Sequence, residues 1–225
     1  MDEKILDFYN SPEGAVDYSG KFQRHWTERV NDWHEQRMLR GLLRAAGVEK
    51  VPGYALDLPC GVGRLYPVVR DISARVVEGD WSFHMLSTAR GVRLRGGPPG
   101  PAAGYVRGTA LDLPFGDNVF DFVLSVRLCH HIRDREERFH YVREILRVSR
   151  NWVVFTYFDE TSLKNRWREF RRRWNKKRSK WTLREEDIRE IAGKHGFEIV
   201  QTRWLSRFFS GHRYVVLRKR GASSR

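Results

Sequence analysis

ALDLPCGVGRL, residues 55–65, is the stretch on which the reading of this chain turns. A short apolar run closes on an acid, Asp57, and the chain then passes through Pro59, Cys60, Gly61, Val62 and Gly63 into a helical pattern. In open α/β sheets ligands bind beyond the carboxyl ends of the strands, near the point where the strand order reverses. Glycines at such a turn let the backbone approach a ligand closely, and a following helix N-terminus offers free N–H groups. A tight strand-to-helix connection also uses Gly, so the turn by itself leaves both readings open.

Working outward, short apolar runs alternate with helical patterns. YALDL (54–58), ARVVEGD (74–80), YVRGTAL (105–111), FDFVLSV (120–126) and WVVFTYF (152–158) read as five strands. Helices are expected from the turn to about Asp71, over SFHMLSTARGVRL (82–94) and over REERFHYVREILRVS (135–149). GGPPGPAAG (96–104) is a loop by composition. A further helix, LREEDIREIAGKHG, has Thr182 as its expected N-cap and Gly196 as its stop. FEIVQTRWL (197–205) and HRYVVLRK (212–219) close the chain as an antiparallel pair. The pattern is α/β: a doubly wound, mostly parallel sheet of seven strands with an antiparallel C-terminal strand. Residues 1–50, helical and polar and closing at Gly47, form an expected N-terminal cap, and 51–225 a single ligand-binding domain with a basic insert at about 160–181.

Composition narrows the partners. The chain has 225 residues, enough for one substantial core, and a net charge of +14 that favours an anionic partner or a basic solvated surface. Two cysteines, Cys60 and Cys129, exclude a disulfide framework and fit a reducing, cytoplasmic setting. MDEKILDFYNS begins acidic without an apolar core, so no secretory signal is read, and no apolar run approaches membrane-spanning length. Any membrane contact is then peripheral.

Two further acids sharpen the site. Asp80 closes the second strand, nineteen residues after Gly61, where an acid would accept hydrogen bonds from ribose hydroxyls. Asp112 follows the third strand in GTALDLPFGDNVFDFVLS. A crevice lined by acids is poorly suited to a pyrophosphate, which speaks for a cationic, adenosine-containing cofactor over a nicotinamide one.

On these residues the chain resembles the class I S-adenosylmethionine-dependent methyltransferases, in particular the type 11 group, over roughly residues 50–158. ALDLPCGVGRL resembles their first motif, VVEGDWSFHMLSTA the strand ending at the ribose-binding acid, and DLPFGDNVFDFVLS the run into the fourth strand. The resemblance implies a Rossmann-like methyltransferase fold and S-adenosyl-L-methionine as cofactor. It places Gly61 and Gly63, with Cys60 in the same turn, at the methionyl part and Asp57 in support of that end. It places Asp80, with Trp81 beside it, at the ribose, Asp112 and Leu113 at the adenine, and the backbone around Arg127 at the cofactor's amino group. Two departures stand out: Pro59 where the family more often has Gly, and Ser149-Arg150-Asn151 where it has a Lys-Pro-Gly-Gly turn.

His130 and His131 follow the fourth strand, where the acceptor pocket of this fold begins. Either could take a proton from the methyl acceptor, and the alternative is a structural His closing a loop. No other His or carboxylate stands nearby at ligand spacing, so no metal is expected. Cys129 lacks the flanking Pro of a pyrimidine-methylating nucleophile and reads as a buried apolar residue. Tyr9, Tyr18, Phe22 and Trp26 make the cap aromatic.

KNRWREFRRRWNKKRSKW (164–181) carries ten Lys or Arg and one Glu, with Leu163, Trp167, Phe170 and Trp174 at one-face helical spacing. Such a helix can lie on anionic headgroups, cover the active site as a lid, or track RNA phosphates. A small-molecule or lipid-like, anionic acceptor is the first reading of function. RNA methylation is the second, and a non-catalytic cofactor-fold binding protein the third.

Overall fold

The short apolar runs become strands of a sheet buried on both faces. The computed structural model describes residues 10–24, 26–94, 100–162, 181–205 and 211–221. Strands β1 (Val51–Asp57), β2 (Ser73–Asp80), β3 (Gly104–Arg107), β4 (Phe120–Ser125) and β5 (Ser149–Asp159) are mutually parallel. A two-residue β6 (Thr182–Leu183) adds to β5 in parallel, and β7 (Phe197–Trp204) and β8 (His212–Lys219) complete the set. The order is β3-β2-β1-β4-β5-β8-β7, with β8 antiparallel to both its neighbours. The doubly wound, seven-stranded sheet with one reversed C-terminal strand is the architecture expected from the sequence.

The helices are α1 (Pro12–Arg24), α2 (Trp26–Ala45), α3 (Tyr66–Ile72), α4 (Phe83–Leu94), α5 (Arg135–Arg147) and α6 (Glu185–Lys194). Neighbouring strand residues face opposite ways, as the pleat requires. Ala55, Phe122, Val154 and Val216 pack with Leu39 and Leu42 of α2 and Val69 of α3. Leu56, Val123, Val153 and Val215 pack with Tyr141 and Ile145 of α5 and Ile188 of α6. Two cores, one on each face, hold the strand ends in register.

Three local expectations change. YVRGTAL is strand only as far as Arg107, because Thr109 closes a turn: its Oγ1 accepts from the Leu111 N–H at 3.2 Å and its carbonyl from Asp112 at 3.3 Å. Thr182 does not cap the following helix, since it sits in β6 opposite Phe158, and α6 begins at Glu185. Ser149-Arg150-Asn151 is no turn but the start of β5, where Arg150 reaches the buried Asp121 at 3.1 Å. The basic stretch 164–180 lies outside the described residues.

The cap is fastened to the sheet by one buried carboxylate. Glu35, on the inner side of α2, is 1% exposed. It pairs with Arg64 of the β1–α3 connection at 2.8 Å and with Arg127, just past β4, at 2.7 Å, and it accepts the Tyr214 hydroxyl of β8. Arg64 also meets Asp32 at 2.5 Å, one turn earlier on α2. Burial alone would raise the Glu35 pKa, but Arg64, Arg127 and the Tyr214 hydroxyl hold it below the ordinary carboxylate value. Burial and the adjacent Glu35 push the Tyr214 hydroxyl well up. Removing one member of such a group strands the others in low dielectric, at a cost of roughly 3–5 kcal/mol.

Glu35→Ala is therefore expected to lower unfolding stability by about 3–5 kcal/mol in denaturant titrations. Because the folded-state pKa lies below the unfolded one, Glu35's contribution is complete above the unfolded carboxylate value and lost as pH falls through the folded value. Glu35→Gln should flatten that acid limb, and an unchanged limb would assign acid sensitivity to other carboxylates.

Candidate active site

The turn after β1 is pinned between its two neighbouring strands. The Leu58 N–H donates to the Leu124 carbonyl of β4 at 2.9 Å, and the Cys60 N–H to the Gly79 carbonyl of β2 at 2.8 Å. Gly61 and Gly63 adopt φ of 55° and 77°, the left-handed region that side chains disfavour. The Gly61 N–H donates to one carboxylate oxygen of Asp80, at 2.9 Å, and the Ser82 N–H to the other, at 2.9 Å. So the acid closing β2 also shapes the glycine turn. Asp80 is buried, which pushes its pKa up, while the N–H groups of Ser82, Gly61 and Trp81 oppose that shift. Helix α3 starts only at Tyr66, so the N–H groups at 61–63 belong to the turn itself. The Leu58–Pro59 peptide is cis, and Pro59 lines the cavity described next.

A cavity of about 430 Å³ opens at the carboxyl ends of the central strands, where the order reverses between β1 and β4. From the β1–β2 side come Asp57, Cys60, Gly61, Asp80 and Trp81. Gly108, Thr109 and Ala110 enter after β3. From the β4–β8 side come Arg127, His130, His131 and His212. Leu58, Met85, Val126 and Leu128 supply apolar surface between them. From the cap, Tyr18 lines the cavity, with its ring 3.7 Å from where a Cβ on Gly61 would stand.

Most of the residues singled out from the sequence thus meet in one place: Asp57, Cys60, Gly61, Asp80, Trp81, Arg127, His130 and His131. Three do not line it. Gly63 lies one step behind the turn, donating its N–H to the Cys60 carbonyl at 2.9 Å. Leu113 is buried in the core, and its N–H donates to the Glu144 carboxylate at 3.0 Å. Asp112 is exposed beyond the Thr109 turn.

Sequence reasoning missed Arg64, Thr109 and His212 as lining residues. For His212 a signal existed: an antiparallel last strand begins where its parallel neighbours end, and His212 pairs with Phe158 near the end of β5. It completes an imidazole cluster. The His130 ring stacks on Phe158 at 4.4 Å between centroids and lies 4.1 Å from His131 and 4.7 Å from His212. Arg127, at φ 66°, donates its N–H to Thr156 Oγ1 at 2.6 Å, so its backbone is held at the cavity edge while its side chain reaches back to Glu35.

Asp57 and Asp80 thus stand at the β1–β2 end of the cavity and three imidazoles at the β4–β8 end, while Arg64 and Arg127, one from each side, have their guanidinium groups paired with Glu35. Neither cysteine supplies a thiolate near neutral pH. Burial together with Asp80, Asp57 and Glu78 pushes the Cys60 thiol well up, and burial pushes Cys129 to about 12. Among the described residues no three His, Cys, Asp or Glu side chains are grouped to hold a metal ion.

Residues 56–155 match the family model described as "Methyltransferase domain". Norajmaline N-methyltransferase of Rauvolfia serpentina is 28% identical over 163 residues, 65% of this chain and 54% of its own length. The tRNA (carboxymethyluridine(34)-5-O)-methyltransferase of Saccharomyces cerevisiae is 30% identical over 91 residues, 40% of this chain and 29% of its own length. The chain thus spans about half or less of the length of these relatives. Magnesium protoporphyrin IX methyltransferase from Synechocystis, solved with bound S-adenosylhomocysteine, superposes with a TM-score of 0.76 at 20% identity, covering 97% of this chain and 100% of that one. That likeness shows a shared fold. The matched segment runs from β1 into β5 and contains the glycine turn and Asp80, and over these residues the chain carries the methyltransferase domain of the class I S-adenosylmethionine-dependent methyltransferases.

Proposed function

We propose that the chain transfers a methyl group from S-adenosyl-L-methionine to a small-molecule or lipid-like acceptor that carries negative charge. The observation that carries this reading is the polarised cavity at the strand switch point. Its volume lies in the range of small-molecule sites, roughly 300–1,000 Å³.

The residues fit the cofactor. Asp80, fixed by two backbone N–H groups, presents a carboxylate suited to vicinal ribose hydroxyls, and Trp81 lies beside it. Asp57, Cys60 and Gly61 form the adjoining wall, where carboxylates favour a cationic ligand and the missing Gly61 side chain leaves room beneath Tyr18. Gly108–Ala110 line the part assigned to the adenine, while Asp112 and Leu113 support it from behind by closing and anchoring the turn. Gly63 acts the same way for the glycine loop. The Arg127 backbone borders the end assigned to the amino group. When bound, the cofactor supplies an activated methyl group on a sulfonium, and the protein's main task is then to align the acceptor with it.

His130 and His131, with His212 against them, border the acceptor side. A neutral imidazole can take the proton an acceptor loses and, once protonated, favours a negatively charged group on that acceptor. The likeness to norajmaline N-methyltransferase supports a small acceptor. A second reading, RNA as acceptor, draws on the likeness to a tRNA enzyme and on the basic stretch 164–180, whose flanking Trp181 donates its N–H to the His130 carbonyl at 3.3 Å.

In titration calorimetry the protein should bind S-adenosylmethionine, and Asp80→Ala should weaken it roughly tenfold to a hundredfold, the worth of a lost charge-assisted hydrogen bond. Equal affinity would remove Asp80 from the site. Labelled cofactor should pass its methyl group into the small-molecule or lipid fraction of a cell extract. Label in RNA would select the second reading, and binding without transfer to any fraction the non-catalytic one. Where an imidazole takes the proton, its own protonation removes the base, so the rate falls on the acid side of the pH profile. His130→Ala or His131→Ala should remove that limb, and a limb retained in both would leave these rings a structural role.

A further inference from the structure

Helix α2 presents two chemically different sides. Its inner side carries Glu35 and the apolar residues packed on the sheet. Its outer side carries Trp26, Val30 and Trp33, at steps of four and three residues, which places them in one stripe. They are 74%, 51% and 61% exposed. Large apolar side chains this open on one helical face cost free energy in water unless something covers them.

The same face is basic. Arg37 follows Trp33 by one turn, its guanidinium 5.5 Å from the indole centroid, and Arg29, Arg40 and Arg44 fall on the same side at helical spacing. The helix's acids, Glu28, Asp32 and Glu35, fall on the other side, and Asp32 and Glu35 are engaged with Arg64. From outside the helix, Asp71 in the last turn of α3 pairs with Arg40 at 2.7 Å, which leaves Arg29, Arg37 and Arg44 facing outward. The face extends about 27 Å along the axis at 1.5 Å per residue.

We propose that this face of α2 docks on an anionic lipid bilayer, with Trp26, Val30 and Trp33 entering the headgroup boundary and Arg29, Arg37 and Arg44 on lipid phosphates. Two Trp flanking an aliphatic residue match the amphipathic ring-and-chain environment of a bilayer interface, and basic residues beside them complement its charge. Bases of a single-stranded nucleic acid stack on Trp rings but offer no counterpart to the aliphatic Val30 side chain between them. Docking here goes beyond the proposed methyl transfer and does not require it. Because Asp32 and Glu35 of the same helix hold Arg64 in the cavity wall, the bilayer would lie one helix diameter, about 10 Å, from that wall.

The test is co-sedimentation of the full chain with vesicles of phosphatidylglycerol and phosphatidylcholine, against pure phosphatidylcholine. Binding to the anionic vesicles, weakened by salt, is expected. Trp26→Ala with Trp33→Ala should lower vesicle affinity about tenfold, and Arg29→Glu with Arg37→Glu and Arg44→Glu by at least as much. Thermal midpoint and cofactor affinity, read separately, should stay near those of the parent. If the tryptophan variant unfolds, the arginine variant, which alters only exposed side chains, decides. No binding to anionic vesicles, or binding indifferent to both variants, overturns the proposal. So does an RNA homopolymer that binds tightly and responds to the arginine variant alone, or self-association without lipid that the tryptophan variant abolishes.

Discussion

A carboxylate with almost no access to water, Glu35, ties together four parts of this fold that are distant in sequence. It sits on the cap helix and meets a guanidinium from the β1–α3 connection, another from the end of β4, and a phenol from β8. Two of those partners, Arg64 and Arg127, also line the cavity. Cap position and cavity shape are thereby one variable. Ion pairs of this kind seldom add much net stability over a well-packed apolar cluster, yet they penalise every arrangement that leaves one member unpaired. That property suits a cap whose register against the strand ends decides which side chains face the ligand.

The cavity's polarity follows from topology. In this strand order the chain reverses between β1 and β4, so the two strands flanking the cleft are followed by connections leading to opposite halves of the sheet. Acids close β1 and β2, whereas the β4 end is followed by Arg127 and the histidine pair. One half thus presents carboxylates and the other imidazoles, with Leu58, Met85 and Val126 supplying apolar surface between.

Legibility in the sequence tracked the range of the interactions responsible. Apolar runs and glycine-bounded helices are local, so the strands, their order of appearance and the glycine turn could be read directly. Asp80 could be placed because its distance from Gly61 reflects one strand–helix–strand unit, and the structure joins the two by a hydrogen bond of 2.9 Å. Asp112 and Leu113 were misplaced relative to the cavity because a threonine-closed turn ends β3 early, a choice that competes with strand propensity and leaves no periodic trace. Arg64 was invisible for another reason: its position depends on Glu35, nearly thirty residues away, and no periodicity couples the two. Thr182 was read as a cap because hydroxyl residues serve both helix starts and strand ends, and pairing with Phe158 decided between them.

The reversal of β8 has a consequence for how such a protein could change. Running against its neighbours, that strand delivers its first residue, His212, to the same rim where the parallel strands deliver their last. The β4–β8 side of the cavity is therefore partly built by the closing hairpin, which shares no residue with the segment from β1 into β5 that matches the methyltransferase family. Substitutions at the start of β8, or changes in the length of the β7–β8 connection, can reshape this side of the cavity while the glycine turn and Asp80 keep their geometry. Two parts of one domain are free to diverge at different rates.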